Sequence, residues 1–180
     1  MIQMILPILV SSNITLRAIT EQDTDLIVFW RNSDFVKSNF LYRGEFTTEI
    51  HNQWLKQEVY TGRVIQFIIE YNFDGKISPI GSVYLRDIDY ENSCAEFGIF
   101  IGDKTVIGKG IGTSVSRMIL NYAHNQLGLH RIFLRLLADN IPAYKAYRKA
   151  GFVLEGVFRD MKKIDGKYID IMFMSSINEN

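Results

Sequence analysis

The chain has 180 residues, 47% of them hydrophobic and 22% charged, and its 20 lysines plus arginines balance 20 acids. That length suits one domain over 1–180, able to bury roughly two-thirds of its unfolded surface in one core. Zero net charge excludes a dedicated nucleic-acid or anionic-membrane binder, both of which need a concentrated positive field, and a lone cysteine, Cys94, excludes an intrachain disulfide and a cysteine-rich metal centre.

Met1 to Val10 is apolar, but no basic residue precedes it and Pro7 interrupts it. It is too short to span a bilayer, so it reads as an N-terminal arm or first strand of a cytoplasmic protein. Asn13 to Ile19 alternates like a short strand. Thr20 and Asp23 have the spacing of a capping box, and the segment through Asn32 places Leu26, Ile27, Phe29 and Trp30 at helical spacing. Thr48 to Tyr60 predicts a second helix with Ile50, Trp54, Leu55 and Val59 on one face. Strands follow over Val64–Tyr71 and Gly81–Ile88, separated by an Asp74-Gly75 turn, and a fourth over Cys94–Ile101. Beyond a glycine-rich loop, Val115, Met118, Ile119 and Tyr122 recur at i, i+3, i+4 and i+7, an amphipathic helix stopped by Gly128. Arg131–Ala138 is a hydrophobic strand. Asn140 is a good N-cap for the next helix, with Pro142 in its first turn. Strands over Phe152–Arg159 and Lys167–Ser175 flank an Asp165-Gly166 turn. The expectation is an α/β (α+β) fold: one mixed, mostly antiparallel sheet of about seven strands flanked by four helices.

Two segments carry chemistry. The first, Ile107-Gly108-Lys109-Gly110-Ile111-Gly112, lies between a strand and a helix. Glycines there let several N–H groups converge, and the helix start adds unpaired N–H groups and a positive dipole end, which together suit a pyrophosphate. The spacing is not that of a P-loop, and a dinucleotide fingerprint would follow the first strand rather than the fourth. The second segment is Asn140-Ile141-Pro142-Ala143-Tyr144-Lys145-Ala146-Tyr147-Arg148-Lys149-Ala150-Gly151-Phe152. Its pattern Asn-x-x-Ala-x-x-x-Tyr-x-Lys-x-Gly-Phe resembles the GNAT N-acetyltransferase superfamily. The glycine loop resembles the family's Gln/Arg-x-x-Gly-x-Gly, with Ile107 where Gln or Arg is usual.

The resemblance, which extends from about Asn13 to Ser175, implies the GNAT acyl-CoA N-acyltransferase fold and acetyl-CoA as donor. The donor would lie in a cleft between the strands at 94–101 and 131–138. Amides from Ile107, Gly108, Lys109, Gly110, Ile111, Gly112 and Thr113 would hold its pyrophosphate. Phe100 and Ile101 would offer a strand edge to its pantetheine, Asn140 would fix a pantetheine amide, and Ala143 would leave room for the chain. Tyr147 would hydrogen-bond the thioester sulfur and act as catalytic acid. The bland alternatives are a core tyrosine at 147 and an ordinary N-cap at 140.

The amine must be neutral to attack. An alkylamine of pKa about 10.4 costs roughly 4–5 kcal/mol to neutralise at pH 7, an amine near 7.7 only about 1. Glu96, on the strand beside the donor, is the best-placed catalytic base or substrate-binding carboxylate, against a reading in which it only orders the sheet face. Asp87 and Glu91 lie at a turn. Strand alternation puts Glu96, Gly98 and Phe100 on one face, and Ala95, Phe97 and Ile99 on the other. Trp30, Arg31 and Tyr84 are expected to wall the substrate, the first two within an aromatic-polar cluster that includes Phe35, Phe40 and Tyr42. His51, His124 and His130 lack metal-ligand spacing, and no metal is expected.

Within the superfamily, the 95–97 strand and the 147–156 segment are similar to spermidine and ribosomal-protein acetyltransferases. Trp30-Arg31-Asn32, with Phe46, His51 and Trp54, looks more like nucleotide-amino-sugar acetyltransferases. Few acids surround the expected site, and Arg31, Arg43 and Arg86 suit a phosphate-bearing substrate, which tilts the reading towards a sugar nucleotide or another polar small amine. A polyamine or a peptide N-terminus stays open. The alternative class is a non-catalytic acetyl-CoA-binding regulatory module. No nucleic-acid or membrane partner is expected, and sheet edges in the family allow a homodimer.

Overall fold

A computed structural model describes residues 6–179; the first five residues of the apolar start lie outside the described residues. In chain order the strands are β1 (Leu9–Ser11), β2 (Ile14–Ala18), β3 (Ile65–Phe73), β4 (Lys76–Asp89), β5 (Cys94–Ile101), β6 (Arg131–Leu137), β7 (Val153–Ile164) and β8 (Lys167–Ile177). The helices are α1 (Thr24–Asn32), α2 (Asp34–Lys37), α3 (Thr48–Trp54), α4 (Ile111–Asn125) and α5 (Ile141–Ala150). All strands join one sheet of order β1-β2-β3-β4-β5-β6-β8-β7. Every neighbouring pair is antiparallel except β5 and β6.

The sheet has eight strands rather than about seven, and the described residues form five α-helices rather than four. The additions are short. β1 is three residues paired to β2, from Leu9↔Leu16 to Ser11↔Ile14, and begins within the apolar start that reads as an arm or first strand. α2 is a single turn capped by the Ser33 hydroxyl, which accepts from the Val36 N–H at 3.4 Å. The helix expected over Thr48–Tyr60 is α3 followed by a π-helical turn, Leu55–Val59. β7 runs on to Ile164, because irregular pairing between Phe158 and Lys162 interrupts the alternation without ending the strand.

Side chains that alternate along each strand divide between the sheet's two faces, and both faces are covered. On β3, Phe67 and Ile69 turn to one side, where they join Val83, Leu85, Val115, Ile119 and Ile132 beneath α4. Ile68 turns to the other side, against Ile27, Trp30 and Leu55. Each core has a dry centre, with Phe67, Ile68 and Leu55 at 0% exposure, and such burial is the main stabilising term. The Thr20 capping box forms as its spacing predicts, and Asp23, which completes it, also receives Arg17 at 2.7 Å. Arg17 reaches Glu70 on β3 at 2.7 Å as well, so one guanidinium ties β2, β3 and the start of α1 together. The expected turns occur at Asp74-Gly75 and Asp165-Gly166, all four residues at positive φ.

Candidate active site

β5 and β6 pair only over Cys94↔Arg131, Ala95↔Ile132 and Glu96↔Phe133. From Phe97 onward the edge of β5 that faces β6 has no strand partner, so backbone hydrogen-bonding capacity is left over inside the fold. The gap opens into one cavity of about 1140 Å³ that runs from the glycine loop to the aromatic residues after α1. Single small-molecule sites span ~300–1,000 Å³. This one has room for a donor and an acceptor together.

The loop forms one end. Gly110 caps α4 at φ +78°, a left-handed conformation that disfavours any side chain, and Gly108 has φ +81°. Ile107 and Lys109 donate their N–H groups back to the Lys104 and Val106 carbonyls, so those two amides close the loop. The N–H groups of Gly108, Gly110, Ile111, Gly112 and Thr113 find no acceptor among the described residues. Gly108, Gly110 and Gly112 have open space where a Cβ would stand. Such convergent, unhindered N–H groups at a helix start suit a pyrophosphate. Lys145 and Lys149 also line the cavity. The Lys109 ammonium lies elsewhere, 5.5 Å from the Phe73 ring centre.

α5 supplies the opposite wall. Asn140 caps it, its side-chain oxygen accepting from the Ala143 N–H at 3.2 Å, which leaves the amide N–H groups for a ligand. Ala143, Ala146 and Tyr147 face the cavity. Thr113 holds α5 to α4 by donating to the Ala146 carbonyl at 3.3 Å. The Tyr147 ring packs edge-on against Phe97 at 5.9 Å and Phe152 at 5.8 Å. No group hydrogen-bonds its hydroxyl among the described residues. Burial pushes that phenol well above its ordinary pKa, with the neighbouring Tyr84 adding to the rise, so it stays protonated at neutral pH.

The remaining walls come from β4, β5, β6 and the segment around α1. Gly98 pairs with Tyr84, and a Cβ at Gly98 would run into the Tyr84 ring, so the glycine sets that ring's position. Glu96 is 5% exposed, and its carboxylate is enclosed by two guanidinium groups. Arg86 donates to Oε2 from Nη2 at 2.9 Å and from Nε at 3.2 Å. Arg135 donates from Nε to Oε1 at 3.0 Å and from Nη2 to Oε2 at 2.9 Å. Three of these four bonds fall on Oε2 and one on Oε1, so Oε1 keeps an open lone-pair position. Arg31 stacks on Phe40 at 3.5 Å, with Phe46 at 4.9 Å from the same guanidinium. His51 donates or accepts at the Thr24 hydroxyl through Nδ1 at 3.0 Å, and burial lowers its pKa to about 4.

The cavity therefore collects Phe100, Ile101, Ile107, Gly108, Gly110, Ile111, Gly112, Thr113, Asn140, Ala143, Tyr147, Glu96, Arg31 and Tyr84. Trp30 lies behind its wall, 4% exposed, edge-on to Phe100 at 6.1 Å and pressed over Gly102. The sequence reading missed Arg135, which β6 places one turn of the pleat beyond the last β5–β6 pair, and Lys162 and Met161, which the extended β7 carries to the cavity. Only the alternation of Phe133 and Arg135 on one face of β6 hinted at the first. No cluster of residues suited to a metal occurs among the described residues.

Residues 13–153 match a family model described as an acetyltransferase (GNAT) domain. The chain is 28% identical over 164 residues to a spermidine N(1)-acetyltransferase of Vibrio cholerae, covering 91% of this chain and 92% of that one. It is 32% identical over 104 residues to an L-amino acid N-acetyltransferase of Escherichia coli, covering 58% and 64%. A solved Vibrio cholerae spermidine N-acetyltransferase in complex with CoA and spermine superposes with a TM-score of 0.85 at 27% identity, covering 93% of this chain and 96% of that one. The match spans most of the chain and includes both the splayed strands and the glycine loop, so the protein belongs to the GNAT family and is an acetyl-CoA-dependent N-acetyltransferase.

Proposed function

We propose that the cavity moves the acetyl group of acetyl-CoA to a primary amine on a small polar molecule, by direct attack through a tetrahedral intermediate. The observation that carries this is the joining of the unpaired edge of β5, the free N–H groups of the loop and the Tyr147 hydroxyl in one cavity. In this reading Gly108, Gly110, Ile111, Gly112 and Thr113 hold the pyrophosphate through their amides, with Ile107 and Lys109 shaping the loop. Asn140 and the Phe100–Ile101 edge align the pantetheine beside Ala143. A backbone N–H of that edge faces the oxyanion as it forms.

Tyr147 is the acid. Its high pKa suits hydrogen-bond donation to the departing thiolate more than full proton transfer, because a thiol near pKa 8.5 is already a fair leaving group. Glu96 is a constrained base in this arrangement, since Arg86 and Arg135 fill its Oε2 and only one position on Oε1 stays open. We assign it instead to ordering those two arginines around the acceptor. The cationic wall then favours the neutral amine, and the amine's proton passes to solvent water rather than to a side chain. A positive charge about 7 Å from an ammonium, at an effective dielectric near 20, disfavours it by about 2 kcal/mol. That lowers the cost of presenting the neutral amine.

The relatives named for spermidine support a polyamine as acceptor, while the charge of the wall supports an anion-bearing amine; peptide N-termini are a further class to test. Sheet-edge pairing into an oligomer is also open, since one neighbour is a dodecameric spermidine N-acetyltransferase. We place the protein in the cytoplasm, where acetyl-CoA is available; no helix among the described residues is long and apolar enough to cross a membrane. CoA thiol release from acetyl-CoA, followed over spermidine, amino acids, amino-sugar nucleotides and peptides, tests the reading. Amine-dependent release with one class supports it. Acetyl-CoA binding with no release for any class would support a non-catalytic module instead.

A further inference from the structure

We propose that the acceptor carries an oxyanion, a phosphate or a carboxylate, which the Arg31 guanidinium receives; this rests on the acetyltransferase reading above. Arg43 and Arg86, the other two arginines whose presence tilts the sequence towards a phosphate, are already engaged. Arg43 pairs with Asp165 at 3.1 Å and donates to the Ser38 carbonyl at 2.6 Å; its Nε is also buried without an acceptor, but Arg43 does not line the cavity. Arg86 is held by Glu96, as is Arg135. Arg31 lines the cavity and has no carboxylate partner among the described residues, and its Nε is buried without an acceptor. A guanidinium taken from water and left unpaired is costly, and a ligand oxyanion would repay that cost with paired, charge-assisted hydrogen bonds.

The position is built rather than incidental. Trp30 anchors the end of α1 over Gly102. Asn32 donates to the Phe46 carbonyl at 2.7 Å and accepts from the Phe46 N–H at 3.0 Å, which fixes the segment that carries Phe40 and Phe46 against the guanidinium. The Phe40 ring under the guanidinium holds it in place at the cavity wall, where an anion would meet it. The surroundings agree. Glu96 is the sole acid among the cavity-lining residues, and it faces Arg86 and Arg135, while Arg31 and Lys162 add further positive charge. A polycation would enter against that field, and an anionic amine would enter with it. Named for spermidine or not, a relative passes on its fold more readily than the charge of its acceptor wall.

The test is acetylation of matched pairs: glucosamine phosphate against glucosamine, leucine against leucinamide, with spermidine alongside, by wild type, Arg31→Gln and Arg31→Lys. The expected result is that an anionic member exceeds its neutral partner and spermidine in kcat/KM by about tenfold or more. Arg31→Gln should reduce that advantage to about threefold or less, mainly through KM, and Arg31→Lys should keep part of it, with acetyl-CoA affinity unchanged in both. An advantage confined to the sugar pair assigns the anion as phosphate, and one confined to the amino-acid pair assigns it as carboxylate. Preference for spermidine or the neutral members, an advantage that survives in Arg31→Gln, or no turnover of either anionic member would overturn the inference. Spermidine turnover would still leave the acetyltransferase reading standing; loss of acetyl-CoA binding by wild type would remove both.

Discussion

Arg135 reaches back from β6 to grip Glu96 on β5 with two hydrogen bonds, at 3.0 and 2.9 Å, just beyond the point where the two strands part. This clamp spans the root of the gap, and Arg86 closes it from β4 at 2.9 Å. The carboxylate is 7% exposed while each guanidinium is about a third exposed, so the pairing is buried at its centre and wet at its rim.

Removing the charge at Glu96 leaves two guanidinium groups facing each other. Glu96→Gln should destabilise the fold by about 2–3 kcal/mol, less than a fully buried pair because both arginines are partly solvated. Urea denaturation checks the stability. The pH–rate profile separates the roles: an ordering role predicts a raised KM with the acid limb of the profile retained, whereas a catalytic base would take that limb with it.

Tyr147→Phe should lower kcat by about 10–100-fold and leave acetyl-CoA affinity nearly unchanged if, as proposed, the hydroxyl acts on the departing sulfur. That hydroxyl has no partner within the described chain, so its loss should change stability by less than about 0.5 kcal/mol. Steady-state rates beside thermal melts check both. Unchanged turnover would remove Tyr147 from the chemistry.

Gly110→Ala places a Cβ on a residue at φ +78°. The left-handed conformation should cost about 1–2 kcal/mol, and the displaced start of α4 should weaken acetyl-CoA binding by about tenfold or more. Titration of acetyl-CoA measures the second effect directly.

His51 links stability to pH. Burial holds its pKa near 4, below the ordinary value of 6.5, so between these values the unfolded chain binds a proton that the folded chain refuses. Its contribution is complete above about pH 6.5 and is lost as the pH falls towards 4, by about 2–3 kcal/mol in all. Denaturation of wild type and His51→Gln across that window should show the wild-type slope reduced in the variant. Parallel slopes would contradict the assignment.

Much of this site was legible along the chain. The glycine loop, Asn140 and Tyr147 stand in contiguous motifs, and helix periodicity orients them without knowledge of the rest of the fold. Glu96 was legible as a carboxylate on the right strand face, but its partners were not. Arg86 meets it through antiparallel register and Arg135 through a parallel crossover, and register of that kind is decided by the whole sheet. Trp30 and Arg31 show the same limit. Adjacent on one helix, they divide between core and cavity according to which face Gly102 and Phe100 can accept. Lys162 reached the wall because β7 continues past an irregularity that the sequence reads as an end.

Amide hydrogen exchange with and without CoA tests most directly whether the donor occupies the gap between β5 and β6. Slowed exchange is expected at Gly108 and at 110–113, and along 98–101, with no change in β1 and β2. Protection absent from the loop and from β5, or appearing only at a distant surface, would contradict it.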